Sequence, residues 1–118
     1  MTKIQRLLLA LICLITYSHN WAEPIADNDA LNERFNNGLT AFESAHYNEA
    51  YQTWRPLAEQ GTSATQYHLG LLCTNGWGTK KSLVKAARWY RMAALQNHTM
   101  AQYALANALI SGQGVGQD

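Results

Sequence analysis

Ser82-Leu83-Val84-Lys85 spells S-x-x-K, the nucleophile motif of penicillin-binding enzymes. Neither companion motif, Ser-Asp-Asn or Lys-Thr-Gly, occurs anywhere in the chain. A non-catalytic role accounts for the serine better: it follows a glycine-bearing stretch, where its hydroxyl can accept a free amide of the next helix. Gly76-Trp77-Gly78-Thr79-Lys80-Lys81-Ser82 has the outline of a phosphate loop but lacks the four-residue gap before Gly-Lys, and no strand precedes it. Gly112-x-Gly114-x-Gly116 likewise stands outside any βαβ context. His46, His68 and His98 are dispersed, and Cys73 is five residues from His68, on a different helical face. No metal site, cofactor or catalytic residue is therefore expected. Asn97-His98-Thr99 matches a glycosylation sequon by pattern alone. Lys81, Lys85 and Arg88 fall at i, i+4 and i+7, with Arg91 one turn on. They read first as a solvated outer face, and second as an electropositive strip for an acidic partner or anionic lipid.

The elements carrying these residues repeat. Two segments align without a gap at an offset of 36: Gln66-Tyr67-His68-Leu69 with Gln102-Tyr103-Ala104-Leu105, and Gly76-Trp77-Gly78 with Gly112-Gln113-Gly114. Ala58-Glu59-Gln60-Gly61 meets Ala94-Leu95-Gln96-Asn97 at the same offset, as Ala50 meets Ala86. A period of this length is the mark of stacked supersecondary units. In the second unit, residues 65–74 place Leu69, Leu72 and Cys73 at helical spacing and stop at Asn75-Gly76. A new helix over 83–95 carries Ala86, Ala87, Tyr90, Ala93 and Ala94, a face of small residues interrupted by one ring. Unit one has Phe35, Leu39 and Phe42 on its first helix, a turn at Ala45-His46-Tyr47, and Tyr51, Trp54, Leu57 and Ala58 on its second. Its turn is six residues shorter than that of unit two. Unit three offers a helix over 100–110 and a loop, and ends there.

Leu69-Gly70 with Gly76-Trp77-Gly78, then Lys85-Ala86 and Trp89-Tyr90-Arg91-Met92-Ala93-Ala94, resembles the Sel-one-like repeat (SLR), a relative of the tetratricopeptide repeat. Gly112-Gln113-Gly114-Val115 with Gln117-Asp118 is close to the family's loop, and unit one looks nearer to an ordinary tetratricopeptide. The resemblance spans about residues 31–118. It implies an all-α fold, a right-handed α/α superhelix of helical hairpins with first helices lining the inner face, and an adaptor role in bacterial or membrane-associated complexes. Ala106 stands where the repeat usually has glycine, and Thr79-Lys80-Lys81 replaces a loop that usually ends in aspartate. The last repeat is incomplete, which leaves the flank of Ala108, Leu109 and Ile110 open to a partner or to self-association, or marks a truncated remnant of a longer array.

Apolar residues make up 47%, enough for a core, and charged residues 14%, which argues against a disordered tail, and a formal charge of +1 gives no sign of a nucleic-acid binder. Lys3 and Arg6 precede an unbroken apolar run from Leu7 to Ile15, nine residues where a bilayer helix needs about 20. A secretory signal peptide over 1–22 is expected, cleaved after Ala22 or, second choice, after Ser18, followed by a linker over 23–30. The mature chain is then periplasmic or secreted, has no stable membrane anchor, and keeps Cys73 as its one thiol, so it forms no internal disulfide. Its charge is lopsided: −5 over residues 23–59 and +5 over 60–117.

The repeat boundaries are 31–61, 62–98 and 99–118, and the expected function is that of an exported, non-catalytic interaction module. A peptide or protein partner would lie on the concave face. Its contacts would be first-helix residues not needed for packing: Tyr67, Leu71 and Thr74 with His68 beside them, then Tyr103 and Asn107. Tyrosine suits such a groove because one end of its ring is apolar and the other can hydrogen-bond. The rival reading is a cell-wall or β-lactam hydrolase of the cysteine-rich SLR type, whose paired cysteines are absent here.

Overall fold

The computed structural model describes residues 2–6 and 24–115. The apolar run of the expected signal peptide, both of its cleavage sites and residues 116–118 lie outside the described residues. After a helical turn at 3–6 come five helices: α1 (Pro24–Glu43), α2 (Tyr47–Glu59), α3 (Ser63–Asn75), α4 (Leu83–Ala94) and α5 (Thr99–Ser111). There is no strand among the described residues. The chain divides into two units, Met1–Asn32 and Glu33–Asp118, the second of which holds the end of α1 and all of α2 to α5.

Residues 24–30, expected as linker, are instead the first two turns of α1. Proline at the first helical position gives up an amide that has no partner there, and neither glycine nor a second proline interrupts the chain before Gly38. The helix of unit one therefore extends backward unopposed.

Within the second unit, α2 packs on α3, α3 on α4 and α4 on α5, the fold of a solenoid of helical hairpins. Fully buried Trp54, Leu57, Leu69 and Leu72 form its centre, and Cys73, Ala86, Tyr90, Ala93 and Ala101 continue it toward the third repeat. Each complete hairpin closes by setting a first-helix glycine against a second-helix ring. A Cβ on Gly38 would strike the Trp54 indole, and one on Gly70 would strike the Tyr90 ring. Glycine inside a helix costs about 0.5–1 kcal/mol against alanine, and the ring contact it permits offsets that cost.

The offset of 36 has a physical cause visible at each junction. Gln66 donates its amide to the Ala58 carbonyl at 3.1 Å, and Gln102 donates to the Ala94 carbonyl at 3.2 Å, so both ends of the bond recur together. The turn position before the first helix of repeats two and three has positive φ, 105° at Gly61 and 63° at Asn97, a conformation that glycine and asparagine tolerate best. Both polar atoms of the buried Gln66 side chain have a partner, since its Oε1 accepts from the Gln96 amide at 2.9 Å. Among the described residues no buried side-chain polar atom lacks a partner.

Candidate functional site

Tyr67, Leu71 and Thr74 fall on one stripe of α3, and the structure assigns its members different work. Thr74 sits at the end of the helix, donating Oγ1–H to the Gly70 carbonyl at 2.8 Å. A hydroxyl has one proton, so the Tyr90 hydroxyl, 3.1 Å away, donates to Thr74. Beyond this pair opens a cleft of about 220 Å³ between the end of α3, the start of α4 and α5. Buried Ala86, Ala87 and Tyr90 form its floor, half-buried Ala104 and Ala108 its wall, and exposed Asn107, Ser111 and Gln113 its rim. Thr74 of repeat two and Asn107 of repeat three are thus brought together. Ser111 is committed to the Asn107 carbonyl at 2.7 Å, whereas the carboxamides of Asn107 and Gln113 make no hydrogen bond among the described residues.

Tyr67 and His68 lie instead in the belt of rings joining the repeats. Tyr67 stacks on His98, with centroids 4.9 Å apart, and lies 5.9 Å from Tyr90. His68 packs on Trp54 at 4.6 Å and meets Phe35 and Phe42 edge-on. Leu71 is half-buried. Tyr103, the equivalent of Tyr67, is 65% exposed because no described helix follows α5 to cover it. One sequence position therefore has two environments. The alanines at 86, 87, 104 and 108 were the missed signal, since small residues on facing helices leave a gap unless a ring fills it.

Ser82 caps α4, accepting the Lys85 amide at 3.2 Å, the role its position predicts. Cys73 is a buried thiol, and burial pushes its pKa up while the Lys85 charge opposes weakly, so it is held in the unreactive form. His98 caps α5 through Nδ1, which accepts the Ala101 amide. No group of three or more His, Cys, Asp or Glu side chains is placed to hold a metal among the described residues. None of the described helices is long and apolar enough to cross a membrane.

Burial holds the His68 imidazole below its ordinary value near 6.5, and the charge of His98 adds to that. The bond from Nδ1–H to the Ala64 carbonyl, at 2.7 Å, works in the opposite direction without cancelling it. Below about pH 6.5 the unfolded chain thus takes up a proton at this site that the folded chain refuses. Stability from His68 is complete above that pH and is lost as pH falls toward the lowered folded value. Thermal melts from pH 7.5 to 5 should show a falling Tm, and His68→Phe should flatten part of the slope. An unchanged slope in that variant would show that His68 does not set it.

The Sel1 repeat family model matches residues 63–98 and 99–118, the second and third repeats. A crystal structure of a Sel1 repeat protein from Oxalobacter formigenes is similar at a TM-score of 0.67 and 27% identity, over 81% of this chain and 75% of that one. A protective antigen of uropathogenic Escherichia coli, displaying an SLR fold, is similar at a TM-score of 0.70 and 30% identity over 84% of this chain. The present chain spans 22% of that antigen's length. Sel1 repeats are helical scaffolds that generally mediate protein–protein contacts rather than chemistry. Tandem hairpins with the same register bond, glycine-bearing loops and a family match over both later repeats make this chain a Sel1-like repeat protein.

Proposed function

We propose that this chain is an exported, non-catalytic binding module that takes an extended peptide segment of a protein partner at the cleft between Thr74 and Asn107. The observation that carries the reading is the pairing of a small-residue floor with a rim carboxamide, Asn107, that has no hydrogen-bond partner among the described residues. An extended peptide presents both things such a site recognises: a side chain for the hollow and backbone amides for the carboxamide. At about 220 Å³ the hollow is smaller than the roughly 300–1,000 Å³ of small-molecule sites, which favours a side chain over a cofactor. The exposed ring of Tyr103, one turn before Asn107 on α5, extends the surface. Export is part of the same proposal: the basic start and nine-residue apolar run fit a secretory signal, and the working chain would then act in the periplasm or outside the cell.

Peptides selected from a display library on the folded chain test this directly. Asn107→Arg, on the exposed rim, should weaken the selected peptides at least tenfold while leaving helix content by circular dichroism unchanged. Peptides that bind the variant as well as the parent would place the binding surface elsewhere.

A further inference from the structure

A second cleft, of about 270 Å³, lies between the second helices of repeats one and two. Tyr51, Arg55 and Glu59 line it from α2, at i, i+4 and i+8, and Lys85, Arg88, Trp89 and Met92 line it from α4. It shares no lining residue with the Thr74–Asn107 cleft. Tyr51 and Trp89 are half-buried and pack against the core formed by Cys73, Ala86, Tyr90 and Ala93, so the aromatic part of the lining is fixed in place. Met92 is 42% exposed and leaves a flexible apolar surface beside Trp89.

The charges around this lining are unequal. Arg55 and Glu59 answer one another at 3.0 Å. Lys85 and Arg88 make no ion pair among the described residues, and residues 60–117 contain no acid that could supply one locally. Two unanswered cations therefore border an aromatic and thioether surface. Isolated basic side chains on a helix face are ordinarily just solvated, but here they edge a concave apolar site, and concavity is what a solvated face lacks.

We propose that the α2–α4 cleft binds an acidic segment of a partner protein, with an apolar side chain against Trp89 and Met92 and flanking carboxylates on Lys85 and Arg88. A membrane surface fits less well. Trp89 is recessed rather than projecting, and Glu59 on the α2 side would face anionic headgroups.

The test uses the full folded chain and a dye-labelled peptide alternating glutamate with leucine, followed by fluorescence anisotropy. A matched peptide with glutamine for glutamate and vesicles containing phosphatidylserine complete the set. The glutamate peptide should bind, and should weaken several-fold as salt rises, since exposed charge pairs are screened. Lys85→Glu with Arg88→Glu should weaken it about tenfold or more, whereas Asn107→Arg should leave it unchanged. The reversal is compatible with folding. Both side chains are exposed, the Ser82 cap uses only the Lys85 backbone, and an acid in the first turn suits a helix N-terminus. Failure of the glutamate peptide to bind, equal binding of the glutamine peptide, indifference to the charge reversal, or preference for the vesicles would each overturn the proposal.

Discussion

Trp54→Ala is expected to lower the Tm by more than ~10 °C and to uncouple the first repeat from the second. The indole is completely buried and stands where three helices meet. It stacks on Phe35 of α1 at 5.9 Å, lies 5.8 Å from Phe42 and 4.6 Å from His68 of α3, and donates Nε1–H to the Phe35 carbonyl at 3.1 Å. Gly38 is shaped around it, with no Cβ to block the ring. Truncating a buried tryptophan costs about 3–5 kcal/mol, because the lost contacts are joined by a cavity that rigid neighbours cannot close. For a domain of this size each kcal/mol moves Tm by about 4–8 °C. Total stability is of the order of 5–15 kcal/mol, so one residue carries a large share. Trp54→Phe keeps a ring in the stack but abandons the hydrogen bond and part of the volume, and should lose only about 1–2 kcal/mol. Thermal melts followed by circular dichroism decide between these. A shift below ~5 °C for the alanine variant would mean that the aromatic belt is not what couples the repeats.

The position of Trp54 is legible in the sequence, and the reason is general to stacked repeats. The period of 36 showed because each junction reuses the same physical parts: the Gln66 and Gln102 amides, the Ala58 and Ala94 carbonyls, and a turn residue that accepts positive φ. Local chemistry also read correctly at Ser82, whose cap needs only the helix that follows it. The helix over 24–30 was not legible because helix continuation leaves no cap or stop signal to detect, only the absence of a breaker. The candidate site was half legible. Helical spacing put Tyr67, His68 and Thr74 near one another, but how far the next repeat overlaps them is set by residues far along the chain. His98, which stacks on Tyr67, sits 31 positions later. The basic run at Lys81, Lys85 and Arg88 was visible as charge, yet nothing in it announced that Tyr51, Arg55 and Glu59 would make Lys85 and Arg88 one side of a cleft. Within-helix relations can be counted off a sequence; inter-repeat ones depend on the docking angle.

That docking can be tested at Gly78. Alanine there is expected to cost about 3 kcal/mol, and two separate effects produce the loss. The residue has φ of 67°, where an L-side chain pays about 1–2 kcal/mol. A Cβ would also run into the Tyr47 carbonyl group and the Asn48 amide at the first turn of α2, and main chain, unlike a flexible side chain, has little room to give. Overpacking of that kind costs about 1–3 kcal/mol. The loop of repeat two thus rides directly on the start of the second helix of repeat one, and Trp77 seals the contact by stacking on Tyr47 at 4.8 Å. The arrangement recurs one repeat later, where a Cβ on Gly114 would meet the Leu83 carbonyl group and the Val84 amide. Gly112 supplies the control. Its φ is also 67°, but among the described residues a Cβ there meets nothing within 4 Å, so Gly112→Ala should lose less, about 1 kcal/mol from the conformational cost. Urea melts of the two variants give the packing contribution by difference, and the Gly78 variant should also shift tryptophan emission as Trp77 leaves its stack. If both alanines cost the same and the emission is unmoved, loop docking does not hold adjacent repeats together, and their register rests on the helix seams and the Gln66–Ala58 bond alone.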